Sequence, residues 1–164
     1  MSAPVYISIG SNVDPQDNIR IAIYAMREVF GNLRLSPIYQ SAAVGFEGDD
    51  FLNLVAGFDT EKPVEQVFDE ARQIEDKQGR DRTQPRFSAR SIDLDILLYD
   101  SQVINLPGLC IPRHEILQSA HVLKPLQDLI PDTPHPVTGE SYAELWRKLS
   151  IQAPQLDVVE INLI

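Results

Sequence analysis

"IDLDILLYD", Ile92 to Asp100, decides how the chain folds. Side chains on a strand alternate, so Asp93 and Asp95 share one face and Ile92, Leu94 and Ile96 share the other. Such a strand must lie in a sheet whose one face is buried and whose other face is reached by polar groups. Working outward, "VYISIG" (Val5 to Gly10) is an alternating strand that ends at the turn signal "GSN". Ile19, Ile23, Met26, Val29 and Phe30 then recur at helical spacing, with Asp14 or Asp17 as cap and Gly31-Asn32 as stop. "LRLSPIYQSAAV" reads as a strand made irregular at Pro37. "FLNLVAGFDT" is a strand with Phe51, Asn53, Val55 and Gly57 on one face.

"KPVEQVFDEARQIEDKQG" is a helix with Pro63 in its first turn, an apolar stripe of Val64, Val67, Phe68, Ala71 and Ile74, and Gly79 at its end. A polar loop from Arg80 to Ala89 leads into the aspartate strand. "QVINLPGLCIP" reads as a short edge strand or hairpin arm. "HEILQSAHVLKPLQDL" reads as a helix broken at Pro125, and "SYAELWRKLS" as a last helix with Ser141 and Glu144 as a capping box. The order strand, helix, strand, strand, helix, strand is the split βαβ arrangement. It predicts an α+β ferredoxin-like sandwich: a mainly antiparallel sheet, helices on one face, and the other face open to a ligand.

The 164 residues suit a single domain spanning 1–164. A net charge of -10 argues against binding nucleic acid through a basic surface. One cysteine, Cys110, excludes an internal disulfide and a Cys-rich zinc site. No apolar run approaches the ~20 residues of a membrane span, and the expected location is the cytoplasm.

Two carboxylates about 6–7 Å apart along one strand face repel unless a cation or a proton joins them. Mg²⁺ is commonly held by one or two carboxylates together with substrate phosphates. A lone D-x-D is more often solvated or paired with arginine. Here, however, five arginines and one lysine fall between Arg72 and Arg90, and guanidinium forks match phosphate oxygens. Together they describe a polyphosphate clamp without a Walker-type loop. Asn53, an amide amid apolar residues, is either a satisfied core group or a reader of a ligand edge.

With those residues in view, "YISIGSN", "YQSAAVGFEGDDFLNLV", "IEDKQGRDR" and "RSIDLDILLYD" resemble, in order and spacing, the 6-hydroxymethyl-7,8-dihydropterin pyrophosphokinases, from about Val5 to Trp146. The resemblance implies transfer of pyrophosphate from ATP to the pterin hydroxymethyl group in folate synthesis, two Mg²⁺ ions and mobile catalytic loops. It also implies a monomer with small-molecule substrates, and no nucleic-acid or membrane partner. It makes Asp93 and Asp95 the metal ligands and, with Arg80 and Arg90, the catalytic set. It places ATP against Glu75, Arg80, Arg82, Arg90, Ile96 and Arg113. It places the pterin against Ser41, Ala42, Val44, Phe51, Asn53 and His121. Four departures accompany it. Phe87-Ser88-Ala89 stands where the family commonly has Trp-Gly-Pro, Arg113 stands in place of a histidine, Ser119 in place of an arginine, and His121 in place of a phenylalanine. Two alternatives are a paralogue acting on a related pterin and a non-catalytic pterin- or nucleotide-binding module.

Overall fold

The computed structural model describes residues 2–41, 50–79 and 92–161. Strand β1 (Ala3–Ser11) lies inside the sheet, because Val5, Ile7 and Ile9 are fully buried. It is followed by α1 (Pro15–Phe30), β2 (Arg34–Leu35), β3 (Ile38–Ser41), β4 (Phe51–Thr60), α2 (Val64–Lys77) and β5 (Asp93–Tyr99). β1 pairs antiparallel with β4 from Ala3↔Thr60 to Ser11↔Leu52, and with β5 on its other side. The spatial order is β5-β1-β4-β3-β8, where β8 (Asp157–Val159) is a short strand not foreseen from the sequence.

The irregularity expected at Pro37 separates β2 from β3, both of which pair with β4. Proline has no N–H to give the ladder. Ser36 spans the break instead: its N–H donates to the Val55 carbonyl at 3.0 Å, and its hydroxyl accepts the Val55 N–H at 2.9 Å.

α1 and α2 share one face, as expected. Ile19, Ile23 and Met26 of α1 and Val67, Ala71 and Ile74 of α2 join Ile7, Ile9, Leu54 and Phe58 of the sheet in one core. Phe30 stacks on Phe58 with centroids 4.4 Å apart. Asp14 holds the N-cap position of α1 with φ 39° but makes no side-chain cap, so Pro15 carries the start of the helix. Gly31, at φ 85°, ends it by donating its N–H to the Arg27 carbonyl.

The opposite face departs from the expectation of an open surface. Helices α3 (Ala120–Leu129) and α4 (Tyr142–Leu149) cover one end of it. Val122, Leu123, Leu126 and Tyr142 pack there with Tyr6, Val55, Leu97 and Leu98. Outside that cluster lies the end formed by residues 8–11, 51–53 and 93–95, where Ser8 and Asn53 are themselves buried while Asp93 and Asp95 are partly exposed. α3 also runs through Pro125 instead of breaking there; the break comes earlier, at Gln118-Ser119, after the 3₁₀ turn His114–Leu117. Pro125 removes one backbone donor, but it is one of the buried residues of α3, and burial of its ring offsets the loss. At α4, Ser141 accepts the Glu144 N–H at 3.2 Å, while the Glu144 carboxylate turns to Arg147. The "QVINLPGLCIP" stretch is a hairpin of β6 (Ile104–Leu106) and β7 (Leu109–Ile111). Among the described residues no helix is long and apolar enough to cross a membrane.

The Phe30–Phe58 stack sits at the centre of the helix-side core. Phe58→Ala is expected to lower the unfolding free energy by about 3–5 kcal/mol in urea titration. A loss below about 1 kcal/mol would contradict this placement of the core.

Candidate functional site

Residues directly opposite on antiparallel strands present their side chains to the same face. Asp93 stands opposite Gly10, Gly10 opposite Asn53, and Asn53 opposite Tyr39. In the next row Asp95 stands opposite Ser8, and Ser8 opposite Val55. Phe51 stands opposite Ser41 at the sheet end. This end of the sheet thus carries the aspartates on β5 and Ser41, Phe51 and Asn53 on β3 and β4. Ser8 and Gly10 form the floor between them. With strands about 4.8 Å apart, two strand spacings put the aspartates roughly 10 Å from Asn53.

β5 is an edge strand, and Leu94 sends its N–H outward between the two aspartates. Glu75 Oε2 accepts it at 2.8 Å. Glu75 is only 4% exposed, so it is not the surface group its place on a helix first suggests. It follows Ala71 by four residues and so belongs to the buried stripe of α2, a signal that was present in the helical spacing. Ile96 differs from the other residues expected near ATP. Its side chain lies in the helix-side core, opposite in direction to Asp93 and Asp95, and so does not reach the face that carries the aspartates.

Between Tyr6 and Ile7 the β1–β5 register shifts, leaving Leu97 as an extra residue on β5. Its carbonyl accepts the Arg113 N–H at 3.1 Å. That contact anchors Arg113 two residues beyond Asp95. The guanidinium Nη2 lies 3.7 Å from Asp95 Oδ1, and Nε pairs with Glu115. Burial pushes the Asp95 carboxyl up to about 7; Asp93 adds to the rise, Arg113 opposes it, and Glu75 and Glu115 add further.

A carboxyl pressed toward protonation beside a second carboxylate fits a divalent cation as its relief. Among the described residues no group of three or more His, Cys, Asp or Glu gathers to form a closed metal cage. The donor set therefore suits a hard cation that completes its shell with water and substrate oxygens, as Mg²⁺ does.

At the other side of the floor, Asn53 is 5% exposed and its Nδ2 donates to Ser41 Oγ at 3.4 Å. Its Oδ1 lies across Gly10: a β-carbon at position 10 would stand 2.8 Å from it. Gly10 is a site residue that the alternation of "YISIG" places on this face, although sequence reasoning singled out only its turn. The Tyr39 hydroxyl donates to Asp128 and so ties α3 to β3. His121 is the second residue of α3 and is half-buried. Burial lowers its pKa, with Glu115 opposing, so its ring is neutral at pH 7.

Arg80, Arg82 and Arg90, with Arg86 and Phe87, lie outside the described residues, as do Ala42 and Val44. A separate cleft lined by Asp14, Gln16, Asp17, Gln40, Asp50 and Leu52 shares no residue with the aspartate site.

Residues 6–131 match the family model of 7,8-dihydro-6-hydroxymethylpterin-pyrophosphokinase (HPPK). The chain belongs to the HPPK family. A 2-amino-4-hydroxy-6-hydroxymethyldihydropteridine pyrophosphokinase of Pseudomonas aeruginosa is 37% identical over 132 residues, covering 78% of this chain and 81% of that protein. The Aquifex aeolicus protein of the same description is 32% identical over 137 residues, covering 82% of this chain and 85% of its own length. The folic acid synthesis protein fol1 of Pneumocystis carinii is 35% identical over 150 residues, which is 88% of this chain but 20% of the fungal protein. A crystallised HPPK-DHPS in complex with substrates superposes over 90% of this chain with a TM-score of 0.70 at 14% identity. It speaks for the HPPK fold alone, and this chain spans 43% of it.

In this HPPK-family site, Gly10→Ala is expected to displace the Asn53 amide. Affinity for a reduced pterin, read by isothermal titration, should fall at least about tenfold, the worth of one satisfied buried hydrogen bond. Unchanged affinity would separate Asn53 from pterin reading.

Asp95 allows a second test. Its folded pKa lies above its unfolded value, so the stability it confers is fully present below pH 3.8 and lost as pH rises through about 7. Asp95→Asn should therefore raise the melting temperature of the metal-free protein more at pH 8 than at pH 5. An equal or reversed effect would contradict the strained carboxylate.

Proposed function

We propose that Asp93 and Asp95 hold the divalent cation with which this HPPK-family chain transfers pyrophosphate from ATP to 6-hydroxymethyl-7,8-dihydropterin, a step of folate synthesis that releases AMP. The observation that carries the reading is the shared sheet face: two carboxylates on β5 and the Asn53 amide on β4, with only Ser8 and Gly10 between them. Their separation of about 10 Å leaves room for a β-phosphate and a hydroxymethyl carbon in line.

Asp93 and Asp95 would hold Mg²⁺, which would supply neutralisation of phosphate charge. The chain's own groups do the positioning. Asn53 presents amide donor and acceptor atoms to the pterin edge and keeps Ser41 as its neighbour. Phe51 offers a ring face to the flat heterocycle. His121, neutral and half-buried on α3, offers a second ring. Arg113 supplies a fixed cation beside Asp95. Glu75 holds the strand between the aspartates by taking the Leu94 N–H.

The substrate hydroxyl attacks the β-phosphorus and AMP departs from the opposite side, so no side-chain nucleophile is required. Arg80, Arg82 and Arg90 are proposed to meet the phosphates as the reaction develops charge, with Ala42 and Val44 completing the pterin pocket. Two metal ions, a monomeric state and a cytoplasmic location belong to the same reading.

His121 carries a second reading. A polar ring where the family commonly has phenylalanine favours a related pterin bearing a hydrogen-bonding substituent near that wall.

The deciding measurement is AMP release from ATP and 6-hydroxymethyl-7,8-dihydropterin with Mg²⁺, together with a panel of related pterins. AMP formation that depends on the pterin is expected, and Asp95→Ala should reduce it by at least about 10³-fold, the loss of the main electrostatic group. Pterin binding without AMP formation from any pterin of the panel would overturn the enzymatic reading.

A further inference from the structure

Glu115 is not among the residues the sequence singles out, yet it touches the centre of the site through Arg113. The two carboxylates on that guanidinium are bound unequally. Glu115 is in direct contact with Nε, whereas Asp95 Oδ1 lies 3.7 Å from Nη2, beyond a direct hydrogen bond. The arginine backbone is itself pinned, its N–H on the Leu97 carbonyl at 3.1 Å. Arg113 is therefore clamped at its root and at Nε, and only leans on Asp95 with its fork. Its side chain is 32% exposed, so the Nη edge is reachable from solvent.

A guanidinium presents five N–H donors in one plane. With Nε engaged by Glu115, the Nη edge remains for one other anion. While no cation sits at Asp95, that anion is Asp95, and Arg113 is the positive group that opposes the carboxylate crowding there. A divalent cation at Asp95 would take over this role and release the Nη edge, which lies 3.7 Å from the carboxylate that would hold that cation. A lysine would lack the separate edges that such an exchange needs.

We infer that Glu115 is a positioning residue, which holds Arg113 so that its guanidinium passes from Asp95 to a phosphate oxygen of the nucleotide when the metal site fills. The inference rests on the proposed reading of Asp95 as a metal ligand.

The test is isothermal titration of the full chain with Mg²⁺ and α,β-methylene-ATP, and separately with pterin, alongside steady-state kinetics and thermal melting. For Glu115→Gln, the nucleotide Kd and the KM for ATP should rise about tenfold, in line with loss of a charge-assisted contact. Pterin Kd and melting temperature should stay near wild type, and kcat should change by less than about threefold. Glu115→Asp should recover most of the loss. The double variant Arg113→Gln/Glu115→Gln should bind nucleotide no worse than Arg113→Gln alone, because the effect of Glu115 on nucleotide runs through Arg113. If Glu115→Gln melts early, Arg113→Lys replaces it and should show the same rise in nucleotide Kd.

Nucleotide affinity within twofold of wild type in Glu115→Gln, or in Arg113→Lys where that variant replaces it, would overturn the inference. Independent, multiplying losses in the double variant would do the same. Wild-type protein that binds no Mg²⁺-nucleotide would instead overturn the metal reading, and the inference with it.

Discussion

A slip of one residue between β1 and β5 would turn Asp93 and Asp95 into the helix-side core and expose Leu94 and Ile96. The functional arrangement depends first on that register. It is held from both sides: Val5, Ile7 and Ile9 are buried against the helices, and β4 repeats the pairing along the whole of β1. The cost of a slip is large because it would bury two carboxylates while exposing several apolar side chains. The same pairing brings Gly10 beneath Asn53, so one ladder positions both the aspartate pair and the Asn53 amide.

The site carries charge that the fold alone would not favour. Asp95 is pushed toward protonation by its surroundings, and the residues that contribute, Asp93, Glu75 and Glu115, come from three separate elements. A core designed only for stability would not gather them. The arrangement makes sense where a cation and a polyanion arrive together and complete the electrostatic balance. Arg113 partly balances the same charge in the free protein, which lets the strand keep its shape before any ligand binds.

Much of this was legible in the residues. The period-two alternation of "VYISIG", "FLNLVAGFDT" and "IDLDILLYD" gave the sheet and the faces of Asp93, Asp95, Phe51 and Asn53, and helical spacing gave α1 and α2. The misses have physical causes. α3 continues through Pro125 because burial of the ring outweighs one missing donor, a tertiary effect that local propensity does not contain. β8 has only three residues, too few for a periodic signal. The cover that α3 and α4 place on the second face follows from docking against Tyr6 and Val55, distant in sequence. Glu75 looked like a surface residue because its charge was weighed more heavily than its place on the buried stripe. Arg80, Arg82 and Arg90 read as a basic loop in the sequence, and they lie outside the described residues.

β8 gives the two flanks of the sheet opposite characters. On β5 the outermost N–H of Leu94 is satisfied by a side chain, so that flank ends in chemistry instead of another strand. On the far flank, β8 pairs with Ile38, Tyr39 and Gln40 of β3, next to Ser41. The segment that does so lies beyond residue 131, where the match to the family model stops. β3, which carries Tyr39 and Ser41 beside Asn53, is thus held between β4 on one side and a strand from the last part of the described chain on the other.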